Sequence, residues 1–155
     1  MGNYHQPRID FIKRTLDLIE QYDSIKEQYP FEQQYNHTLL INCLLGLIVL
    51  PKEKAITFIP KTKGELLESL NQYGIINSEI NENINDTKVL FERLRNAIAH
   101  FDIEFISETD EFLIDKIKFR DSEANLDVVT FTSNEFPIFV KYYANQIILN
   151  LEKYG

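Results

Sequence analysis

The longest apolar run of the sequence limits what the chain can fold into. It extends from Thr38 to Leu50, contains the polar Asn42 and is followed by Pro51. The run is too short to cross a bilayer, because a transmembrane helix needs about 20 apolar residues. A helix that is apolar on nearly all sides is instead buried in a core. We therefore expect a helix over residues 32–50 at the centre of a helical bundle, and no membrane segment.

Composition is typical of one globular domain over residues 1–155. Of these residues 44% are apolar and 12% aromatic, with only 5 Gly and 5 Pro, which is enough for one sizeable core. The single cysteine, Cys43, lies inside the apolar run, so an internal disulfide is excluded. The N-terminal residues lack the apolar stretch of a signal peptide. Both features favour a cytoplasmic protein.

Helical spacing of apolar residues recurs in four further segments. A long first helix begins at Pro7 and ends before Pro30, and a short one covers 64–73. A third main helix begins after Asp86, a good N-cap, and reaches His100, and the last main helix begins at Ser133 and passes through Leu151. Between them, 51–64 is predicted to be a loop and 75–85 irregular or weakly helical.

Between residues 102 and 132 the spacing of the apolar residues changes from helical to alternating. Alternating apolar residues indicate two or three strands separated by polar turns; they are Ile103, Phe105, Phe112, Ile114, Ile117, Phe119, Leu126, Val128, Val129 and Phe131. The fold class is therefore mainly α: a bundle of four main helices with a small antiparallel β-meander, at about 102–132, inserted before the last helix.

Charge limits how the chain can bind nucleic acid. The sequence has 24 Asp and Glu against 16 Lys and Arg, a net charge of −8. Residues 101–135 carry 10 acids and 3 bases, so −7 of the charge lies there and −1 on the rest. The helical part is nearly neutral, which predicts local phosphate binding with little non-specific affinity. The acidic segment would repel RNA from one side or bind a basic partner.

Most standard catalytic motifs are missing. The sequence contains no Gly-rich phosphate loop, CxxC pair, HExxH or Gly-x-Ser-x-Gly elbow. Its three histidines, His5, His37 and His100, are too few for a typical multi-histidine metal site. We expect no metal and no cofactor.

One cluster carries chemistry, at the end of the third main helix: Arg95, Asn96 and His100. An arginine binds phosphate oxygens with a planar fork, an asparagine both donates and accepts, and an imidazole transfers protons near neutral pH. Together they suit metal-independent RNA cleavage, in which a base takes the 2′-hydroxyl proton and that oxygen attacks the adjacent phosphorus. Positive groups then stabilise the charge on the phosphoryl oxygens.

Helix geometry indicates that one copy of the cluster is incomplete. At about 100° per residue, Asn96 and His100 lie about 40° apart, but Arg95 and His100 lie about 140° apart. Two copies of the helix that meet across a two-fold axis would direct these groups into one cleft. The small side chains of Ala97 and Ala99 would allow close approach.

The segment FERLRNAIAHFDIEF resembles the signature of the HEPN superfamily: an arginine, a polar residue directly after it, and a histidine a few residues later. The run YNHTLLINCLLGLIVLPKEK is similar to the second helix of small, plasmid- or defence-associated members. The resemblance implies an up-and-down helical bundle and a homodimer with a composite cleft. It also implies metal-independent endoribonuclease activity carried by Arg95, Asn96 and His100, in a toxin–antitoxin, phage-defence or RNA-processing setting.

Two alternatives stay open beside the enzyme. One is a non-catalytic binding or regulatory module for a nucleotide, an RNA or a partner protein. An antitoxin or a regulatory protein is also expected as a partner of the chain. The second alternative is an antitoxin-like or scaffold subunit paired with a nucleotidyltransferase. Family toxins silenced by AMP transfer carry a tyrosine two residues after the histidine, and this sequence has Asp102 there, which disfavours that route.

Each motif residue also has an ordinary structural interpretation. Arg95 would pair with Glu92 on the surface, His100 would interact with the helix dipole, and Asn96 would be a polar residue on the helix face. Glu92 and Arg93 are expected only to line or solvate the helix. His37 is expected to be half-buried with a hydrogen-bond partner, and the many Tyr and Phe residues to pack in the core rather than stack on bases.

Overall fold

Five α-helices form most of the part of the chain that the structure describes. The structure, a computed structural model, describes residues 5–49, 59–60, 62–108 and 113–154. The helices are α1 (Pro7–Ile25), α2 (Asn36–Val49), α3 (Lys63–Gln72), α4 (Thr87–Ala99) and α5 (Phe136–Tyr154). The predicted mainly helical fold with a small antiparallel sheet is confirmed, whereas the up-and-down order of four helices stays a prediction. No helix in these described ranges is long and apolar enough to span a membrane.

The apolar run lies at the centre of the core, as predicted. Helix α2 contacts α1, α4 and α5, and six of its side chains are buried: Leu40, Ile41, Cys43, Leu44, Leu47 and Ile48. Burial raises the pKa of the Cys43 thiol, which makes it a poor nucleophile.

Four antiparallel strands form a sheet in the order β1-β4-β3-β2. The strands are β1 (Glu79–Ile80), β2 (Ile103–Ile106), β3 (Lys116–Asp121) and β4 (Leu126–Thr132). Three of them lie within the predicted insertion. The fourth, β1, precedes α4 and pairs with Thr130 and Val129. The expectation that 75–85 is irregular or weakly helical is therefore wrong at this strand, because a two-residue strand formed by distant pairing has no local periodicity.

Helices α3 and α4 begin at well-formed N-caps. The Asp86 carboxylate accepts the N–H of Val89 at 2.8 Å, as predicted for the start of α4. Thr62 and Glu65 form a capping box at the start of α3. Thr62 and Asp86 also form an isolated β-bridge, which ties the two helix starts together. The predicted loop 51–64 falls largely on residues 51–58 and 61, outside the described ranges.

Two predicted helix starts are wrong by a few residues. Residues Phe31–Gln33 form a separate 3₁₀ turn, so α2 begins at Asn36 rather than at 32. Helix α5 begins at Phe136, and Ser133 is not its cap. The Ser133 hydroxyl instead lies 2.8 Å from Nε2 of His37. This bond joins the start of α2 to the turn before α5, and His37 is half-buried with a partner, as expected.

Candidate functional site

The three predicted residues at the C-terminal end of α4 differ in exposure. Arg95 is exposed, Asn96 is half-buried and the His100 side chain is 57% exposed. Glu92 lies 4.0 Å from Lys88, so it does not form the expected ion pair with Arg95. Within the described residues, no carboxylate lies within ion-pairing distance of the Arg95 guanidinium, which therefore presents a cationic fork to solvent.

A Schellman motif ends α4 at His100. The N–H of Phe101 donates to the carbonyl of Ile98 at 3.1 Å, and the N–H of Asp102 donates to that of Ala97 at 2.7 Å. The motif requires a left-handed backbone at Phe101, whose φ is 54°. The chain thus turns sharply directly after the candidate histidine.

The β3–β4 turn, residues 122–125, is fixed to this helix end through Asp102. The Asp102 carboxylate accepts the N–H of Ser122 at 2.8 Å, and its carbonyl accepts the N–H of Arg120 at 2.9 Å. Asp102 occupies the position at which family toxins silenced by AMP transfer carry a tyrosine, and in this protein it has a structural role. The predicted insertion is attached directly to the motif helix.

Asp121, which the sequence analysis missed, connects the sheet to Asn96. It is 1% exposed, and its Oδ2 accepts from Arg93 Nη1 at 2.9 Å and from Asn96 Nδ2 at 3.3 Å. Its Oδ1 accepts the N–H of Ala124 at 3.1 Å. Burial alone would raise the pKa of this carboxyl, but these hydrogen bonds and the Arg93 charge hold it below its ordinary value. Asp121 is therefore ionised at neutral pH, and Arg93 pairs with it rather than only being solvated.

The β3–β4 turn also places an acidic side chain beside the candidate histidine. His100 Nε2 lies 3.6 Å from Glu123 Oε1, and the Glu123 side chain is 70% exposed. The imidazole thus faces Glu123 rather than a carbonyl of the last helical turn. This contact is an ion pair only when the imidazole is protonated, and its exposure makes it easy to displace.

A comparison with protein families gives a match over almost the whole chain. The family model described as HEPN pEK499 p136 matches residues 1–154. The chain belongs to the HEPN superfamily. Comparisons with curated proteins and with solved structures give no significant match. The predicted family is thus confirmed by the match over the chain, and the roles of Arg95, Asn96 and His100 in this HEPN protein stay predictions.

Phe101 holds a backbone conformation that costs this HEPN protein stability. A bulky side chain at positive φ costs about 1–2 kcal/mol relative to glycine, and Phe101 is 70% exposed, so it gains little from burial. We expect Phe101→Gly to raise the free energy of unfolding by about 1 kcal/mol, measured by urea denaturation. Asn125→Gly is the control: Asn125 also has positive φ, 48°, but asparagine tolerates it, so a smaller gain is expected. A less stable Phe101→Gly variant would contradict this account.

In the part of the HEPN chain that the structure describes, the motif does not belong to a metal cluster. Within the described residues, no group of three or more His, Cys, Asp or Glu side chains is placed to hold a metal ion. A surface pocket of about 650 Å³ lies between the start of α1 and the end of α5, lined by Gln6, Pro7, Arg8, Ile9, Leu151 and Glu152. None of the motif residues lines it. Arg95 and His100 instead lie on open surface.

Proposed function

We propose that this HEPN protein is a metal-independent endoribonuclease that acts as a homodimer in a toxin–antitoxin, phage-defence or RNA-processing setting. The observation that carries the proposal is the arrangement at the end of α4. Arg95 and His100 are exposed, whereas Asn96, between them in sequence, is anchored to a buried carboxylate. An exposed cation and an exposed imidazole, beside a fixed amide, suit phosphodiester cleavage.

In the proposed reaction the 2′-oxygen of the RNA attacks the adjacent phosphorus while its proton passes to a His100 imidazole. The bond from phosphorus to the 5′-oxygen breaks, and the His100 of the second copy protonates that leaving oxygen. Arg95 binds the phosphoryl oxygens, whose charge grows in the transition state. The products are a 2′,3′-cyclic phosphate and a 5′-hydroxyl.

A second copy of the chain completes the site in this proposal. Arg95 and His100 are five residues apart and lie about 140° apart around an ideal helix, so one α4 directs them to different sides. Their exposure on open surface supports a cleft formed between two α4 helices. Of the two small residues expected to permit such an approach, Ala99 is exposed and can do so, whereas the expectation is wrong for Ala97, which is fully buried in the core.

The test is cleavage of single-stranded RNA by purified protein with EDTA present. We expect cleavage to continue at an undiminished rate and to produce 2′,3′-cyclic phosphate ends, detected by end-specific phosphorylation. Gel filtration should give twice the mass of the 18.3 kDa chain. RNA left intact with and without divalent cations would refute the enzyme, and a monomer would refute the shared cleft.

The alternative, a non-catalytic module that binds a nucleotide, an RNA or a partner protein such as an antitoxin, is favoured by one contact. Glu123 lies beside His100, within the segment that carries most of the net negative charge, and RNA phosphate must displace it. Saturable binding of RNA without any turnover would support this alternative.

A further inference from the structure

Asn96 is held by a group that accepts hydrogen bonds and cannot donate them. Asp121 Oδ2 lies 3.3 Å from Asn96 Nδ2, and Asp121 is 1% exposed. An ionised carboxylate accepts only, so the end of the amide directed at it must be the amino group. This contact fixes the orientation of the Asn96 side-chain amide. Its carbonyl Oδ1 is the end left for solvent and ligand, since Asn96 is half-buried.

The contacts of Asp121 explain why this orientation is stable. Arg93 Nη1 and the N–H of Ala124 also donate to the carboxylate, at 2.9 and 3.1 Å. A buried charge with three donors is retained in place, whereas an unpaired one would be strongly unfavourable. Asp121 is also the last residue of β3, so the sheet supplies a rigid support for a side chain on α4.

The side-chain carbonyl of Asn96 can bind only a group that donates a hydrogen bond. Phosphate oxygens in RNA are acceptors and cannot donate to Oδ1. Along the sugar–phosphate backbone of a single strand, the 2′-hydroxyl is the donor, and it is the group that distinguishes RNA from DNA.

We propose, on the basis of the ribonuclease function above, that Asp121 is a positioning residue that holds Asn96 so that its Oδ1 accepts a hydrogen bond from an RNA 2′-hydroxyl other than the attacking one, whose proton passes to His100. The β-hairpin that follows the motif thereby contributes to the choice of RNA over DNA. Asp121 itself does not touch the substrate. It acts through the Asn96 amide.

The experiment compares binding of RNA and DNA. A single-stranded RNA that the wild type cleaves, and DNA of the same sequence, are bound to variants that carry His100→Ala so that no cleavage occurs. We expect the His100→Ala variant to bind RNA about tenfold more tightly than DNA, which is the effect of about one hydrogen bond. Adding Asn96→Ala should remove that preference, and adding Asp121→Asn should remove it to the same extent. The triple variant should lose no more than either double variant, because both substitutions break one coupled contact.

Asp127→Asn is the matched control, because it makes the same chemical change in the same hairpin. Asp127 pairs with Arg120 at 2.9 Å, and its side chain is 52% exposed. This variant should keep the preference for RNA. A merely structural role of Asp121 would weaken RNA and DNA binding equally and leave their ratio unchanged.

Stability of the variant is checked by circular dichroism. If Asp121→Asn alone does not fold, Arg93→Met combined with Asp121→Asn removes both charges of the pair, a change that proteins often tolerate. The same loss of preference is expected for the double change. An unchanged ratio in a folded Asp121 variant overturns the proposal while the ribonuclease stands. A wild type that neither cleaves nor binds RNA overturns both.

Discussion

His100→Ala should lower the rate of RNA cleavage by about 10²- to 10⁴-fold, the usual contribution of a general acid or base. In a homodimer the decrease in rate should lie at the upper end of this range, because both copies lose the imidazole that transfers the proton. The fold should be unaffected: the imidazole is exposed, and the end of α4 is closed by backbone bonds. The measurement is the rate of cleavage at saturating RNA, together with the unfolding midpoint.

His5→Ala is the matched control for this prediction. His5 is exposed, and it is the backbone N–H of His5, not the imidazole, that donates to Asp10 at 2.6 Å. Removal of the ring there should change neither rate nor stability. Cleavage by His100→Ala at the wild-type rate would exclude His100 from the reaction.

Growth assays extend the same comparison to cells. Induced wild-type protein should arrest growth if it cleaves cellular RNA, whereas His100→Ala and Arg95→Ala should not. Arg95→Ala should lose about 10²- to 10³-fold in rate, the usual cost of one donor to the developing oxyanion. Growth arrest that persists in both variants would instead indicate the non-catalytic module.

The parts of the fold that the sequence predicts are those with local or periodic signals. The apolar run that contains Cys43 predicts a buried α2, and Asp86 predicts the start of α4, because both depend on neighbours within a few residues. Strand β1 depends on Thr130 and Val129, about 50 residues away in sequence. Ser133 has the chemistry of an N-cap, but its hydroxyl is bonded to His37, a tertiary contact that no local pattern contains.

The same distinction applies to the candidate site, where residues close together in sequence could be predicted and a distant one was missed. Arg95, Asn96 and His100 are recognisable because they lie within six consecutive residues at the end of one helix, whereas Asp121 lies 25 residues from Asn96. A signal for it does exist. Ile117, Phe119 and Asp121 alternate onto one face of β3, and the first two are fully buried. An acidic residue at the third inward position indicates a buried charge with partners.

The largest effect on stability is expected at Glu135, a carboxylate in the turn before α5. It is 5% exposed. Its two oxygens accept from the N–H groups of Ile76 and Asn77, the Asn77 side-chain amide and the Ser78 hydroxyl, at 2.6–3.1 Å. Burial alone would raise the pKa of Glu135, but the Ser78 and Asn77 donors outweigh it and lower the pKa to about 2. The carboxylate thus holds residues 76–78, which lead into β1.

The lowered pKa gives stability with a defined pH dependence. Because the pKa of Glu135 in the folded protein, about 2, lies below its ordinary value of 4.5, the contribution is complete above pH 4.5 and is lost as pH falls through 2. Its size at pH 7 is about 3 kcal/mol. Glu135→Gln should therefore lower the free energy of unfolding by about 3 kcal/mol at pH 7, but by only about 1 kcal/mol at pH 3, in urea titrations.

Glu68→Gln separates this effect from a general loss of negative charge. Glu68 is exposed on α3, so its replacement should change stability by less than about 0.5 kcal/mol at either pH. The difference between Glu135→Gln and the wild type should shrink between pH 7 and pH 3 because the carboxyl takes up its proton in the unfolded chain, while in the folded protein it stays mostly ionised. An equal loss at pH 7 and pH 3 would show that packing, and not the ionised carboxylate, makes Glu135 important.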